Sequence, residues 1–453
     1  MGFTLMNVLA FDPAEARGTL KELPESSAVF ALYGEATHAE PYIGRTPNLR
    51  GRLERLLLPS PKHPRRLQLA GRVRRIEWRL TGSDFESLLL QFDMLQDIYG
   101  AKALERMHLG APSFVRFLGS NRYPRITVTN RPSQREADWA YGPFASRVAA
   151  ERFADEALKL FLLRRCTDDL DPNPSHPGCV YSEMKMCLAP CYQGCTDERY
   201  AEESAAVERF LATRGESRLV QLKTQRDEAS ANLEFESAAA IHAQVQRAEA
   251  VRALAPEIVR PMSQLRGVVL QPAADAGGEQ AGPSPEVAVF LYDGGRLRGP
   301  ATFSTLGMRI QNEQSGSSSL FAQPMGLEAV AERQGTEKQG IGNREQGTGV
   351  EADEAAASGT ARAGAKAAAK VQRGMLEARL EAVLTELAKE PGTANAATRT
   401  GHLALLKRWY YRPEAKRVGE VFFPDDEGGW PVKAILRGIG RIAGKSLTAA
   451  AAP

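Results

Sequence analysis

Hydrophobic positions along this chain change period several times, and each change predicts an element. Residues 28–33 and 41–44 read as two short strands, Ala28 to Tyr33 and Pro41 to Gly44, joined by a polar loop. Asn48 then stands where a helix cap belongs. Leu49, Leu53, Leu56 and Leu57 form one apolar stripe behind it and leave Arg50, Arg52 and Arg55 to other faces. Arg75 to Leu80 predicts a third strand. Phe85, Leu88, Leu89, Phe92 and Leu95 fall at helical spacing and predict an amphipathic helix from Asp84 to Ile98. These elements make a small α/β unit over residues 20–110.

A second segment, residues 111–200, carries a strand at Ile126 to Val128 and a helix from Ser146 to Leu163. Residues 198–253 are charged and helical, broken only near Asn232-Leu233-Glu234, which predicts a helical hairpin over residues 201–255. Strand signals return at Leu265 to Leu270 and at Val287 to Tyr292, ahead of an Asp293-Gly294-Gly295 turn. Residues 256–310 are therefore expected to be β-rich. From 311 to 374 the composition shifts to Gly, Gln, Glu, Ala and Ser, too poor in apolar side chains for a core, so a disordered insert is expected. A helix from Met375 to Lys389 follows, and the last segment, 375–453, is aromatic and basic around Lys407-Arg408-Trp409-Tyr410-Tyr411-Arg412. The expected fold class is α+β and multidomain, with an α/β C-terminal part split by the insert.

Bulk composition narrows the class only a little. A hydrophobic content of 43% is enough for several cores. There is no apolar run near the roughly 20 residues of a membrane helix. The first residues lack a secretion-signal pattern, so a cytoplasmic protein with no membrane partner is expected. The net charge of +3 says little, but its distribution says more. Between Arg45 and Arg79 stand ten arginines and one lysine, against only Glu54 and Glu77. A solvated helix face usually mixes signs. A patch so rich in guanidinium forks points instead to phosphate, and Arg50, Arg55, Arg65, Arg66, Arg72, Arg74 and Arg75 are its candidate DNA contacts.

All five cysteines, Cys166, Cys179, Cys187, Cys191 and Cys195, fall within thirty residues, with twelve, seven, three and three residues between them. In a reducing compartment clustered thiols are usually ligands or catalysts. An iron–sulfur cluster or zinc is the first expectation, and small buried hydrophobes are the alternative.

Three stretches, in order, resemble the UvrC excinuclease family of bacterial nucleotide excision repair. Ala28-Val29-Phe30 followed by Tyr42-Ile43-Gly44-Arg45, Asn48-Leu49 and Arg52 resembles the GIY-YIG nuclease core. Arg165-Cys166, Pro177-Gly178-Cys179 and Cys187-Leu188-Ala189-Pro190-Cys191, with the later Tyr200, resemble the family's cysteine-rich region. Leu233-Glu234-Phe235-Glu236 with Ala238, Ala239 and Ile241 resembles the UVR motif, a hairpin that contacts the partner UvrB. Tyr123-Pro124 and Gly142-Pro143-Phe144 are smaller echoes.

The resemblance implies metal-assisted phosphodiester hydrolysis, with magnesium or manganese on a carboxylate and cationic groups on the phosphate. Tyr42 would act near the nucleophilic water, Arg52 would hold the phosphate, Arg45 stands where the family usually has lysine and keeps its charge but not its shape, and Asn48 would brace the loop. Two positions depart from the family. Its first-motif tyrosine is Phe30 here, and its metal-binding glutamate is Gln91, whose neutral carbonyl suits a hard cation poorly. Helical geometry places Gln91 at the flank of the apolar, packed face and points Glu86 and Asp93 well away from that face, so neither is expected to replace it. The resemblance also links Cys166, Cys179, Cys187 and Cys191 to an iron–sulfur cluster, with zinc as runner-up. Leu233, Phe235, Ala238, Ala239 and Ile241 become partner contacts. The family's second, RNase H-like nuclease is not legible after residue 255, and Gly438-Ile439-Gly440 resembles half of a helix–hairpin–helix. Three readings compete: a UvrC-like protein that binds and incises DNA, an adaptor that binds DNA and a UvrB-type partner without cutting, and a structural metal protein whose Trp409-Tyr410-Tyr411 segment binds something unrelated.

Overall fold

The computed structural model describes residues 7–36, 40–58, 69–167, 170–274, 286–305, 371, 373–389, 394–425 and 427–450. Arg65, Arg66 and nearly all of the expected insert at 311–374 lie outside the described residues.

The first unit starts earlier than residue 20. Strand β1 (Asn7–Ala10) and helix α1 (Ala16–Lys21) precede β2 (Ala28–Gly34), β3 (Tyr42–Thr46), α2 (Leu49–Leu57), β4 (Val73–Leu80) and α3 (Asp84–Tyr99). The sheet is antiparallel in the order β1-β4-β2-β3. Phe30 stands opposite Gly44 and Leu32 opposite Tyr42. Because side chains alternate along a strand, Phe30, Leu32 and Tyr42 share the face covered by α1 and α2 through Leu20, Leu49 and Leu53. Val29 and Ala31 face the other way, onto Leu90 and Met94 of α3.

The second unit holds α4 (Ala103–Arg106), β5 (Ser113–Phe117), β6 (Ile126–Thr129), β7 (Ala140–Phe144), α5 (Arg147–Leu158), α6 (Val180–Glu183) and α7 (Asp197–Ala212). Its sheet runs β6-β5-β7-β8, with β8 (Arg260–Pro261) returning from beyond the next helices. The hairpin expected over 201–255 is shorter than that. Helix α7 buries Tyr200, Val207, Phe210 and Leu211 in the core it shares with β5 and β7. Gly215, at φ +90°, then breaks the chain, a left-handed conformation that glycine adopts without a Cβ clash. The hairpin proper is α8 (Glu216–Ala231) against α9 (Phe235–Ala253), joined by Leu219, Leu222, Val245 and Ala248.

Residues 256–310 and 375–453, expected as separate segments, build one unit. Strands β9 (Gly267–Pro272), β10 (Glu286–Asp293) and β11 (Arg296–Ser304) form a meander, and β12 (Glu420–Phe422) adds antiparallel to β9. Helix α10 (residues 373–388) starts inside the segment assigned to the insert. Together with α12 (Val432–Ala450) it covers one face of this sheet, through Leu376, Leu380, Leu384, Ile435 and Ile439. Gly438-Ile439-Gly440 therefore lies within a continuous helix, not in a hairpin turn.

Helix α11 (Ala396–Tyr410) lies between the other face of the sheet and α3. The approach is close: a Cβ on Gly401 would stand 1.8 Å from Phe92 Cζ. Polar links follow α11 along its length. Gln96 Nε2 donates to Thr398 Oγ1 at 2.8 Å, His402 Nε2 meets Asp93 Oδ1 at 2.9 Å, and the hydroxyl of Tyr411, just past the helix, donates to Pro143 O at 2.9 Å. Among the described residues no helix is long and apolar enough to cross a membrane.

Candidate functional site

Asn48 caps α2, its Oδ1 accepting from Gly51 N at 2.7 Å. That cap sets the direction of the helix and brings Arg52 beside β3, where Arg52 Nη2 donates to the Tyr42 hydroxyl at 3.4 Å. Phe30 is fully buried. Its ring lies over Gly44, so close that a Cβ there would be 2.6 Å from Phe30 Cζ. The glycine of the Tyr-Ile-Gly run is thus needed for packing. Tyr42, Arg52 and Asn48 come together as a group.

Arg45 does not join them. It alternates to the other face and pairs with Asp84, in the first turn of α3. Asp84 also takes Arg412 Nη2 at 2.5 Å. Burial alone would push the Asp84 carboxyl upward. The hydrogen bond from Arg412 and the charges of Arg45 and Arg412 outweigh it and hold the group below the usual carboxylate range. Sequence reasoning missed Arg412, which stands 328 positions from Asp84 with no local pattern to link them.

Gln91 is half-buried on α3, next to Leu90, which packs against Val29 and Ala31. The expectation that Glu86 and Asp93 point away from the packed surface needs correcting, because α3 has packed surfaces on both sides. Glu86 is 5% exposed and accepts from Gly82 N at 2.9 Å. Asp93 is held by His402.

The described arginines of the proposed DNA patch divide into two sorts. Arg50 bonds Leu23 O and Glu25, Arg74 approaches Glu35 at 3.6 Å, and Arg75 pairs with Glu77 and stacks over Tyr33. Arg55 and Arg72 are exposed, and Arg55 Nε donates to the carbonyl of Gly51 at 2.9 Å.

Cys166, Cys179, Cys187 and Cys191 line one small cleft, with Arg164, Ala189 and Pro190. Burial pushes the Cys187 thiol up to about 11, and the thiols of Cys166, Cys179 and Cys191 add to the rise. Ala189 N donates to the Cys187 sulfur at 3.2 Å, and Arg164 Nη1 to the Cys166 sulfur at 3.6 Å. An all-thiol set with N–H donors aimed at sulfur suits a soft or borderline metal. Among the described residues, however, no group of three or more side chains is closed into an arrangement that would hold an ion. Beneath the cleft, the Tyr200 hydroxyl donates to Pro124 O at 2.8 Å and accepts from Arg164 N at 3.2 Å, while Arg164 Nε donates to Tyr123 O at 3.0 Å. This knot ties α7 to the cysteine segment. Cys195 sits apart from the four and packs against the core of the second unit.

At the hairpin tip Leu233 and Phe235 are 72% and 66% exposed. Ala239 is exposed, Ala238 is half-buried, and Ile241 packs between the two helices.

Residues 114–210 match the family described as the UvrC/Cho excinuclease middle domain. That span runs from β5 to α7 and contains the whole thiol cleft. The relatives are consistent with it. A UvrABC system protein C of Alcanivorax borkumensis is 29% identical over 211 residues, 47% of this chain and 34% of the relative. One of Ruminiclostridium cellulolyticum is 29% identical over 226 residues, 49% and 36%. One of Shigella dysenteriae is 28% identical over 238 residues, 52% and 40%. No solved structure matches the chain. What folds here is an α+β protein built around a UvrC-type middle domain. The chain carries a UvrC-type middle domain and resembles UvrABC system protein C over about half its length, and its matches span only about a third to two fifths of the length of these relatives.

Proposed function

We propose that this chain is a nucleotide excision repair protein that binds DNA and docks on a UvrB-type partner. The observation that carries the reading is the UvrC-type middle domain, followed directly by a hairpin whose tip presents Leu233 and Phe235 to solvent. Large apolar side chains left exposed on a two-helix projection favour a docking role. Arg55 and Arg72, with Arg50, Arg74 and Arg75 beside them, supply phosphate contacts. Cys166, Cys179, Cys187 and Cys191 would hold an iron–sulfur cluster, which would brace the middle domain, with zinc as the alternative. Cluster colour, lost in Cys187→Ala, against stoichiometric zinc in the purified protein decides between them.

The same reading extends to the reaction. If the N-terminal unit incises DNA, Tyr42 would position the attacking water and Arg52 would neutralise the phosphate, while magnesium or manganese, if bound at the Gln91 position, would supply Lewis-acid help to the leaving oxygen. A second reading, the adaptor that does not cut, is favoured by Phe30, which lacks a hydroxyl, and by Gln91, which lacks a charge for the metal. Incubation of the protein with damaged duplex, UvrA, UvrB and magnesium or manganese separates them. Cutting abolished by Tyr42→Phe refutes the adaptor. No cutting by the wild type, with cutting gained in Gln91→Glu, refutes the enzyme. Failure to bind either DNA or UvrB refutes both.

A further inference from the structure

Helix α12 carries a charge pattern that neither DNA contact by the first unit nor docking by the hairpin uses. Ile435, Leu436, Ile439, Ile442 and Ala443 are committed to the core of the third unit. On the outer side stand Lys433, Arg437, Arg441 and Lys445, all exposed and each four residues after the last. The helix contains no acidic residue. Four residues advance about 6 Å along a helix and about 40° around it, so the cations form one slowly winding ridge about 18 Å long. Glu420 on β12 takes Arg441 through two bonds, at 2.7 and 2.5 Å, and neutralises that member of the ridge. Lys433 and Arg437 make no ion pair among the described residues.

A surface helix ordinarily interleaves the two signs of charge. A ridge of one sign repels itself, and an extended anion relieves that repulsion. The apolar side of α12 is already buried, so the helix has no free face to lay into a lipid headgroup layer. A linear polyanion fits better. Lys433 and Arg437, about 6 Å apart along the helix, face about two phosphates at about 3.4 Å of axial rise per phosphate on one strand.

We propose that the outer ridge of α12, through Lys433 and Arg437 in its first turns, is a second nucleic-acid contact surface that grips the phosphodiester backbone without reading bases. The inference rests on the proposed DNA-binding function and adds a surface that the arginines of the first unit do not supply. It is tested with the full chain and fluorescent duplex and single-stranded DNA of mixed sequence, titrated across a series of salt concentrations. Each phosphate contact contributes about 0.9 to the slope of log K against log salt on duplex and about 0.7 on single strands. Lys433→Gln with Arg437→Gln should flatten the duplex slope by about 1.8 and weaken binding equally for unrelated sequences. Lys159→Gln with Lys389→Gln removes the same charge elsewhere and should leave the slope unchanged. An unchanged slope in the α12 variant, while Arg55→Gln with Arg72→Gln weakens binding, overturns this inference alone. Equal flattening in the lysine control overturns it too, as an effect of net charge. Absence of binding by the wild type overturns the DNA-binding function itself.

Discussion

Replacing His402 by alanine tests whether α11 holds the units of this protein together. The imidazole is 1% exposed. Its Nδ1 accepts from the backbone N–H of Leu297, in β11, at 2.8 Å. That bond fixes the tautomer, so Nε2 carries the proton and donates to Asp93 Oδ1, in α3, at 2.9 Å. One ring thus bridges the sheet of the third unit and a helix of the first. Alanine strands a buried N–H, at about 1–3 kcal/mol, and takes from Asp93 a hydrogen bond to a charged acceptor, worth about 1.5–3 kcal/mol. The edge-on contact with Phe92, at 5.5 Å between centroids, is lost as well. It adds about 1 kcal/mol, for a total of about 3.5–7 kcal/mol. The assay is urea unfolding of the full chain, followed by tryptophan fluorescence, since Trp409 is buried in α11 itself. A chain of several units need not unfold in one step, so the transitions of the first and third units should also move apart. In a cycle with Asp93→Asn the two substitutions should couple by about 1–3 kcal/mol. A loss below about 0.5 kcal/mol with no coupling would refute the bracket, because surface substitutions do that much.

Further expectations concern the same interface and the hairpin. Gly401→Ala drives a methyl into Phe92 and should cost about 1–3 kcal/mol by thermal melting, with recovery when Phe92→Leu is added. Asp84 is held below its ordinary range in the folded state, so its contribution is present above about pH 3.9 and is lost as pH falls through the lower folded value. Asp84→Asn should flatten the stability profile below about pH 4, and an unchanged acid limb would contradict the Arg45–Asp84–Arg412 clamp. Burial raises Glu86, against the opposing pull of the Gly82 N–H and of Arg79. Its contribution is therefore greatest at low pH and fades as pH rises through the folded value, so Glu86→Gln should raise the melting temperature more at about pH 8 than at about pH 4. Leu233→Ala with Phe235→Ala should leave stability within about 0.5 kcal/mol while abolishing UvrB capture in a titrated pull-down.

The elements that were legible in the sequence are those whose neighbours lie close along the chain. The Asn48 cap, the stripe of α2 and the Tyr42–Arg52 contact span at most ten residues, so pattern and structure draw on the same stretch. β7 was not legible as a strand, because all five of its residues are buried and no alternation shows. α11 hides for a related reason. It is packed on both sides, against α3 and the third sheet, so its apolar residues do not gather on one stripe. The end of α7 is set by a left-handed Gly215 inside a run whose composition stays helical. The Arg45–Asp84–Arg412 clamp and the His402 bridge join residues tens to hundreds of positions apart. No periodicity carries such pairs, and β12, at three residues, is too short to show any.

The placement of the acids on α3 bears directly on whether this protein cuts. Asp84 is shared by two guanidiniums, Asp93 is fixed by His402, and Glu86 is buried on the Gly82 N–H. Asp97 is exposed near the far end of the helix. Three carboxylates that a metal could otherwise recruit are thus already engaged in holding α11 or the first turn of α3, and moving them would loosen that packing. Gln91 is the position on α3 where a charge can be supplied without breaking an existing bond. Gln91→Glu should therefore be tolerated, with a modest desolvation cost because the site is only half-buried. The expected outcome is a wild type that binds DNA and UvrB without incision, and a Gln91→Glu variant that nicks damaged duplex when magnesium is added. Gel separation of end-labelled duplex reads both. Magnesium-dependent cutting by the wild type that is lost in Tyr42→Phe would show that a carboxylate already engaged here can be released to serve the metal, and the argument from the occupied acids would fail.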